Sequence, residues 1–299
     1  EGAGDAGEFD AVVVAAKANQ LASLAGTLSA LLQGRGPELP VFFALNGIPW
    51  YYFHGHGGPR EGERLPLLDP GDALWAAVGP GRAVHVSCLS MSSVVRPGEV
   101  QVNSPRNIFK ICEPSGNAAS PRAKRLAEAL SAGGVQAEVM GDMRHEVWFK
   151  LLGNISVNPV SVLTGGGVSA MVSDTSLREA ALAPLIREAM AVAKAMGVDT
   201  SQFPSAEQRL DVAKKMAQGN THPPSMLQDF QAGRPMEIHA ILGQVRAFAV
   251  ATGVPTPTLE VVLALVATAG RINAEKRLAG EGGGGEDASK RPRRDEGGR

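Results

Sequence analysis

Residues Asp10 to Leu45 constrain the fold of this chain more than any other stretch. Asp10–Ala16 (DAVVVAA) is an apolar run of the kind that lies inside a parallel sheet, covered on both faces. Leucines at 21, 24, 28, 31 and 32 then recur at helical spacing across Asn19–Gly34, and Pro40–Leu45 (PVFFAL) is a second strand-like run. Strand, helix and strand in that order form a βαβ unit. The sheet is therefore expected to be parallel, with its ligand edge at the C-terminal ends of the strands, where Lys17 and Asn46 fall.

Further strands are expected around Arg82–Cys88, Glu99–Val102, Asn107–Ile111 and Val135–Met140. A helix over Pro121–Ala132 separates the last two, capped by Ser120 and stopped by Gly133-Gly134. After Asp142 only helical patterns remain: Met143–Leu163, Leu177–Met196, Ala206–Gln218, Met226–Ala232, Glu237–Ala251 and Pro257–Lys276. A chain of 299 residues can hold two cores. The fold class expected is α/β: an incomplete Rossmann-like parallel-sheet domain over residues 1–142, then an all-α domain over 143–277. Residues 278–299 are glycine-rich and charged with almost nothing apolar, so a disordered tail is expected. The KRPRR run within it reads as solvated charge rather than a nuclear address or a nucleic-acid arm.

Charge narrows the partners. Lys+Arg 29 against Asp+Glu 30 leaves a net charge of -1, which gives no broad electrostatic hold on nucleic acid or on an anionic membrane. Small molecules remain as partners, and homodimerisation stays open. Cys88 and Cys112 lie in apolar runs without CxxC spacing, which suits a reducing, cytoplasmic setting and excludes a zinc framework. No apolar run approaches the roughly 20 residues that span a bilayer.

The strongest chemical signal is HEVWFKLLGNISVNPVSVLT, residues 145–164. Lys150, Asn154 and Asn158 recur at four-residue spacing on an otherwise apolar helix, so their polar heads share one side. An ammonium and two carboxamides suit a small oxygen-rich substrate, since all three donate hydrogen bonds. A water-facing helix side is the competing explanation, and Trp148, Leu151, Leu152, Ile155 and Val157 leave little of the helix to solvate.

Other features carry less. Gly2, Gly4 and Gly7 spell GxGxxG, but no strand precedes them and a strand follows, so the pyrophosphate-binding turn cannot form there. Ser225 and Gln228 have capping-box spacing; a hydroxyl at that helix start would also lie beside free N–H groups that favour a carboxylate. Glu237, between Met236 and Ile238, is not expected to be fully exposed. Glu188 is expected to pair with Arg187 or Lys194 on its own helix. His54 and His56 read as a solvated loop rather than a metal pair, and Trp50, Tyr51, Tyr52 and Phe53 suit core and pocket wall equally.

Taken together, Lys17 after a strand, NGIPW at 46–50, WFKLLGNISVNPVSVLT at 148–164, PSMLQDFQAGRPMEI at 224–238 and GVPTPTLE at 253–260 closely resemble ketopantoate reductase. The resemblance runs from about Asp10 to Arg277. It implies a Rossmann domain that binds NADPH and a helical domain that closes over 2-dehydropantoate. The implied reaction is reduction of the ketone to pantoate, for pantothenate and coenzyme A synthesis. It further implies Lys150 as proton donor, with Glu237 beside the nicotinamide ribose and the reacting centre. Asn154, Asn158 and Ser225 would bind substrate, Asn46 would stand between cofactor and substrate, and Lys17 would lie on the cofactor side. Glu188 matches a glutamate of secondary duty.

The resembled family places a strand, its glycine turn and a further strand ahead of the position that Glu1 occupies here. A βαβ unit needs roughly 30 residues. The chain as written is thus expected to lack its N-terminal cofactor unit, to bind NADPH poorly and to present an unpaired sheet edge. Two alternatives stay open: a reductase of another small 2-oxo acid, and a non-catalytic helical binding or dimerisation module.

Overall fold

The computed structural model describes residues 7–103, 107–218 and 222–282. Strands β1 (Val12–Val14), β2 (Val41–Ala44), β3 (Ala83–Leu89), β6 (Ile108–Cys112) and β7 (Gln136–Met140) form one sheet in the order β1-β2-β3-β6-β7. β1 and β2 pair in parallel, with Val12 opposite Val41, and β2 and β3 continue in parallel, with Phe42 opposite Val84. The βαβ expectation holds here, although the crossover between β1 and β2 begins as two 3-10 turns (Ala18–Gln20 and Ala22–Leu24) before α1 (Ala25–Leu32).

The all-parallel expectation does not hold across the whole sheet. β3 and β6 run antiparallel, with Val86 opposite Ile111, because no crossover helix joins them. The chain instead goes out and back through a two-stranded ribbon, β4 (Ser92–Arg96) and β5 (Glu99–Val102), before entering β6. β6 and β7 are parallel again, joined by α3 (Pro121–Ala132), whose cap Ser120 accepts from Ala123 N as its sequence suggests. Between β2 and β3 lies α2 (Ala73–Ala77); the Asp69 carboxylate accepts from Leu74 N and Trp75 N at 2.8 and 2.9 Å there.

From Met143 onward the described chain is helical. α4 (Met143–Thr164) is followed by α5 (Val168–Ser173), α6 (Thr175–Leu177), a π turn at Arg178–Leu182 and α7 (Ala183–Ala195). Then come α8 (Ala206–Met216), α9 (Ser225–Gln231), a second π turn at His239–Gly243, α10 (Gln244–Thr252) and α11 (Pro257–Gly282). The short α5 has no counterpart in the periodicity reading, and α11 runs through Gly282, past the point where composition suggests the tail begins. The KRPRR run lies outside the described residues, as do Gly2 and Gly4.

α4 organises the molecule. Asp142 caps it, Oδ1 accepting from His145 N at 3.0 Å, and Gly165 ends it at φ 68, a backbone conformation that glycine adopts without strain. Its buried residues Trp148, Leu151, Leu152 and Ile155 pack within the main core, against α7, α9 and α11. Five contacts bind its first half to the α/β layer. Arg144 donates to the carbonyls of Pro114, Tyr52 and His54 at 2.9 Å each, and Trp148 Nε1 donates to Tyr52 Oη at 2.8 Å. Lys110 on β6 forms a buried ion pair with Glu146 at 2.7 Å. Trp50, Tyr51, Tyr52 and Phe53 are all at or below 1% exposed, which settles them as core rather than pocket wall.

Candidate active site

Lys150 stands one turn beyond Glu146 on α4, and Asn154 and Asn158 follow on the same face of that helix. α4 packs on β3 and on α9, so this face spans from the sheet's edge to the helix that Ser225 begins. None of the side chains of Lys150, Asn154, Asn158 and Ser225 has a hydrogen-bond partner among the described residues. Asn158 is nevertheless only 5% exposed. Lys150 and Asn154 are half-buried and Ser225 is exposed, so donors without an internal partner lie along one helix face open to a ligand.

Burial lowers the Lys150 ammonium below the ordinary lysine range, while Cys88 and Glu237 act in the opposite direction. His85, 1% exposed on β3, is driven down to about 3 by burial and by the Lys150 charge, so it is neutral; Tyr51 Oη lies 3.2 Å from its Nδ1. An easily lost proton on a lysine without a salt-bridge partner is what a proton donor to an oxygen needs.

The rim opposite is built from Lys17, Asn46 and Glu237. Glu237 is 6% exposed and accepts twice across the two halves of the chain: Oε1 from Ala18 N at 3.1 Å and Oε2 from Asn46 Nδ2 at 3.1 Å. Asn46-Gly47 turns the chain after β2 with Gly47 at φ 76. Ile48 N donates to Ala240 O at 2.9 Å, and a Cβ on Gly47 would stand 2.3 Å from that same oxygen, so only glycine fits. The Lys17 ammonium meets Asp229 of α9, a residue 1% exposed that also accepts from Arg234 Nε at 3.0 Å. Sequence reasoning placed none of Asp229, His85 and Cys88 at the site. Asp229 lies in the quoted PSMLQDF run four residues after Ser225, and that spacing was the available signal.

Several local expectations are corrected. Ser225 is the first residue of α9 rather than its cap, which is Pro224; Gln228 Nε2 turns to Pro223 O at 2.9 Å and to His222. No capping box forms, and Ser225 is exposed. Glu188 does not pair on its own helix but accepts from Thr258 N and Leu259 N at 2.9 and 2.8 Å, holding the start of α11, while Arg187 pairs with Glu207. Beside His54 and His56, Glu61 accepts from Gly55 N and Gly57 N at 2.8 Å each, and no metal-binding cluster occurs among the described residues. A cavity of ≈ 890 Å³ lies elsewhere: Asp10, Leu39 and Pro40 at the N-terminal strand ends and Ser120 at the start of α3 line it. It holds none of the groups just described, which gather at the opposite end of the strands.

A mostly parallel sheet whose carboxyl edge lies beside a lysine on a packed helical layer is an α/β architecture with its ligand edge at that end. Residues 142–269 match the family described as ketopantoate reductase PanE/ApbA C terminal. A 2-dehydropantoate 2-reductase from Mesorhizobium japonicum is 41% identical over 268 residues, 87% of this chain and 76% of that protein. A crystal structure of a protein assigned as a ketopantoate reductase from Ralstonia solanacearum superposes with a TM-score of 0.79 at 33% identity, covering 92% of this chain and 79% of that one. At 22% identity, the 2-dehydropantoate 2-reductase of Geobacter metallireducens shares the fold, with a TM-score of 0.73 over 90% of this chain and 80% of the other. The chain belongs to the ketopantoate reductase family, whose members are oxidoreductases. None of its described helices is long and apolar enough to cross a membrane.

Proposed function

We propose that this site reduces the ketone of 2-dehydropantoate to the hydroxyl of pantoate with NADPH, as a cytoplasmic step of pantothenate biosynthesis. The observation that carries the reading is Lys150, an ammonium of lowered pKa with no internal partner, on one helix face with two unpaired carboxamides and within electrostatic reach of Glu237. The residues at the rim fit the nicotinamide-ribose end of the cofactor: Asn46 and Glu237 present an amide and a carboxylate at the carboxyl edge, beside a turn that tolerates no side chain at Gly47. The cofactor, when bound, supplies the hydride.

The chain's own groups supply the rest. Negative charge grows on the ketone oxygen as the carbonyl is reduced, and the Lys150 ammonium stabilises that charge and gives its proton to the oxygen. Asn154 and Asn158 hold the substrate's hydroxyl and carboxylate, which fixes the carbonyl's orientation before reaction. Ser225, at the first turn of α9 with its hydroxyl unengaged, takes the carboxylate from the other side. Asn46 and Glu237 together set the distance between the rim and α4, and Lys17 serves the cofactor side. Calorimetric titration with NADPH and then with 2-dehydropantoate tests the reading. Binding of both by a full-length version that carries the family's N-terminal cofactor unit, with turnover lost in its Lys150→Ala variant, is the expected result; a folded full-length sample that binds neither would point to a non-catalytic helical module.

A further inference from the structure

The ribbon β4–β5 has no role in the reading above, yet its packing is unusual. Val94, Val95, Val100 and Val102 are 72%, 55%, 59% and 52% exposed, so apolar burial does little to hold the ribbon against the body. Its base is fixed by polar contacts instead. Ser90 Oγ meets Asn107 Oδ1 at 2.7 Å, Asn103 N donates to Met91 O at 2.7 Å, and the Asn103 amide lies 3.1 Å from Ser93 Oγ. That amide also reaches across to His222 Nδ1 at 3.4 Å, on the segment leading into α9. On the ring's far side, His222 Nε2 is 3.1 Å from Gln228 Nε2, which also donates to Pro223 O at 2.9 Å.

The contact with Gln228 orients the ring. Gln228 Nε2 is committed as a donor, so His222 Nε2 accepts and the neutral ring carries its proton on Nδ1. Nδ1–H then needs an acceptor, and the Asn103 carboxamide supplies one when its oxygen faces the ring, an orientation that an amide assignment leaves free. A chain therefore runs from ribbon to Asn103, His222 and Gln228, the last lying in the first turn of α9 with Ser225. We infer that Asn103 is a positioning residue: through His222 it sets the Pro223–Ser225 turn, and so the place where the Ser225 hydroxyl meets a substrate carboxylate. This rests on the proposed role of Ser225.

The test is steady-state kinetics of the reductase with 2-dehydropantoate, alongside calorimetric NADPH binding. Asn103→Leu, which removes the acceptor at similar volume, should raise KM about tenfold, the size of one lost hydrogen bond, with kcat and NADPH affinity within about twofold of wild type. Asn103→Asp keeps an acceptor for His222 Nδ1–H and should recover most of that loss. In a Ser225→Ala background, Asn103→Leu should add less than about twofold, since both changes act on one contact. An unchanged KM in Asn103→Leu, no recovery in Asn103→Asp, or equal losses in kcat and NADPH affinity would overturn the inference. An unchanged KM in Ser225→Ala alone would instead remove Ser225 from substrate binding, and the inference with it.

Discussion

Replacing Glu237 by Gln examines the junction on which the site geometry depends, because the change preserves shape and alters only hydrogen-bond polarity and charge. In the wild type each carboxylate oxygen accepts one bond at 3.1 Å, from Ala18 N and from Asn46 Nδ2, and the side chain is 6% exposed. A glutamine has one acceptor and one NH2 group, so one of the two contacts becomes donor against donor. Losing one charge-assisted hydrogen bond in a buried setting, with a donor left unsatisfied, costs about 2–3 kcal/mol. For a protein of this size that corresponds to a fall in Tm of roughly 3–5 °C. A second effect follows from the first substitution alone. Glu237 favours the charged form of Lys150, so its neutralisation lowers the Lys150 pKa further. Because the proton donor must be protonated, activity is present below that pKa and lost as pH rises through it. The alkaline limb of kcat/KM should therefore move to lower pH in Glu237→Gln. Thermal unfolding by circular dichroism and a pH–rate profile measure the two effects independently. The double variant Glu237→Gln with Asn46→Asp restores a donor–acceptor pair and should regain most of the Tm, and because it returns a carboxylate to the junction it should also move the limb part of the way back. A single variant that melts with wild type and keeps the wild-type limb would refute the junction argument.

Three further outcomes are expected. Lys150→Met should abolish turnover yet leave Tm at or above wild type by scanning fluorimetry, since it removes a charge whose pKa burial has lowered; a marked fall in Tm would assign Lys150 a structural role. Gly47→Ala should cost about 2–4 kcal/mol, from its left-handed backbone and the overlap with Ala240 O, and denaturant titration should show the midpoint falling with little change in slope. Glu188→Gln should loosen the start of α11 without changing KM, read as faster amide exchange at Thr258 and Leu259.

The sequence by itself determined the βαβ start, the change to helices after Asp142 and the shared face of Lys150, Asn154 and Asn158. All three are periodic signals: two residues per strand repeat or 3.6 per helical turn decide which side chains share a face, whatever packs above them. It also placed Lys17 and Asn46 just beyond the ends of β1 and β2, since a parallel strand's end fixes the ligand edge. Other properties had no local signal. The antiparallel turn between β3 and β6 depends on a ribbon whose exposed valines read like any strand. Glu188 and Asp229 look in sequence like surface acids of their helices, and only the approach of α11 gives Glu188 its partners, while Lys17, from far along the chain, joins the local Arg234 on Asp229. Ser225 has the spacing of a capping box, but the bond was lost because Gln228 found His222 and Pro223 O nearer. Periodicity is a property of one segment and can be read there; the partner of a buried charge is a property of two distant segments, and only tertiary structure decides it.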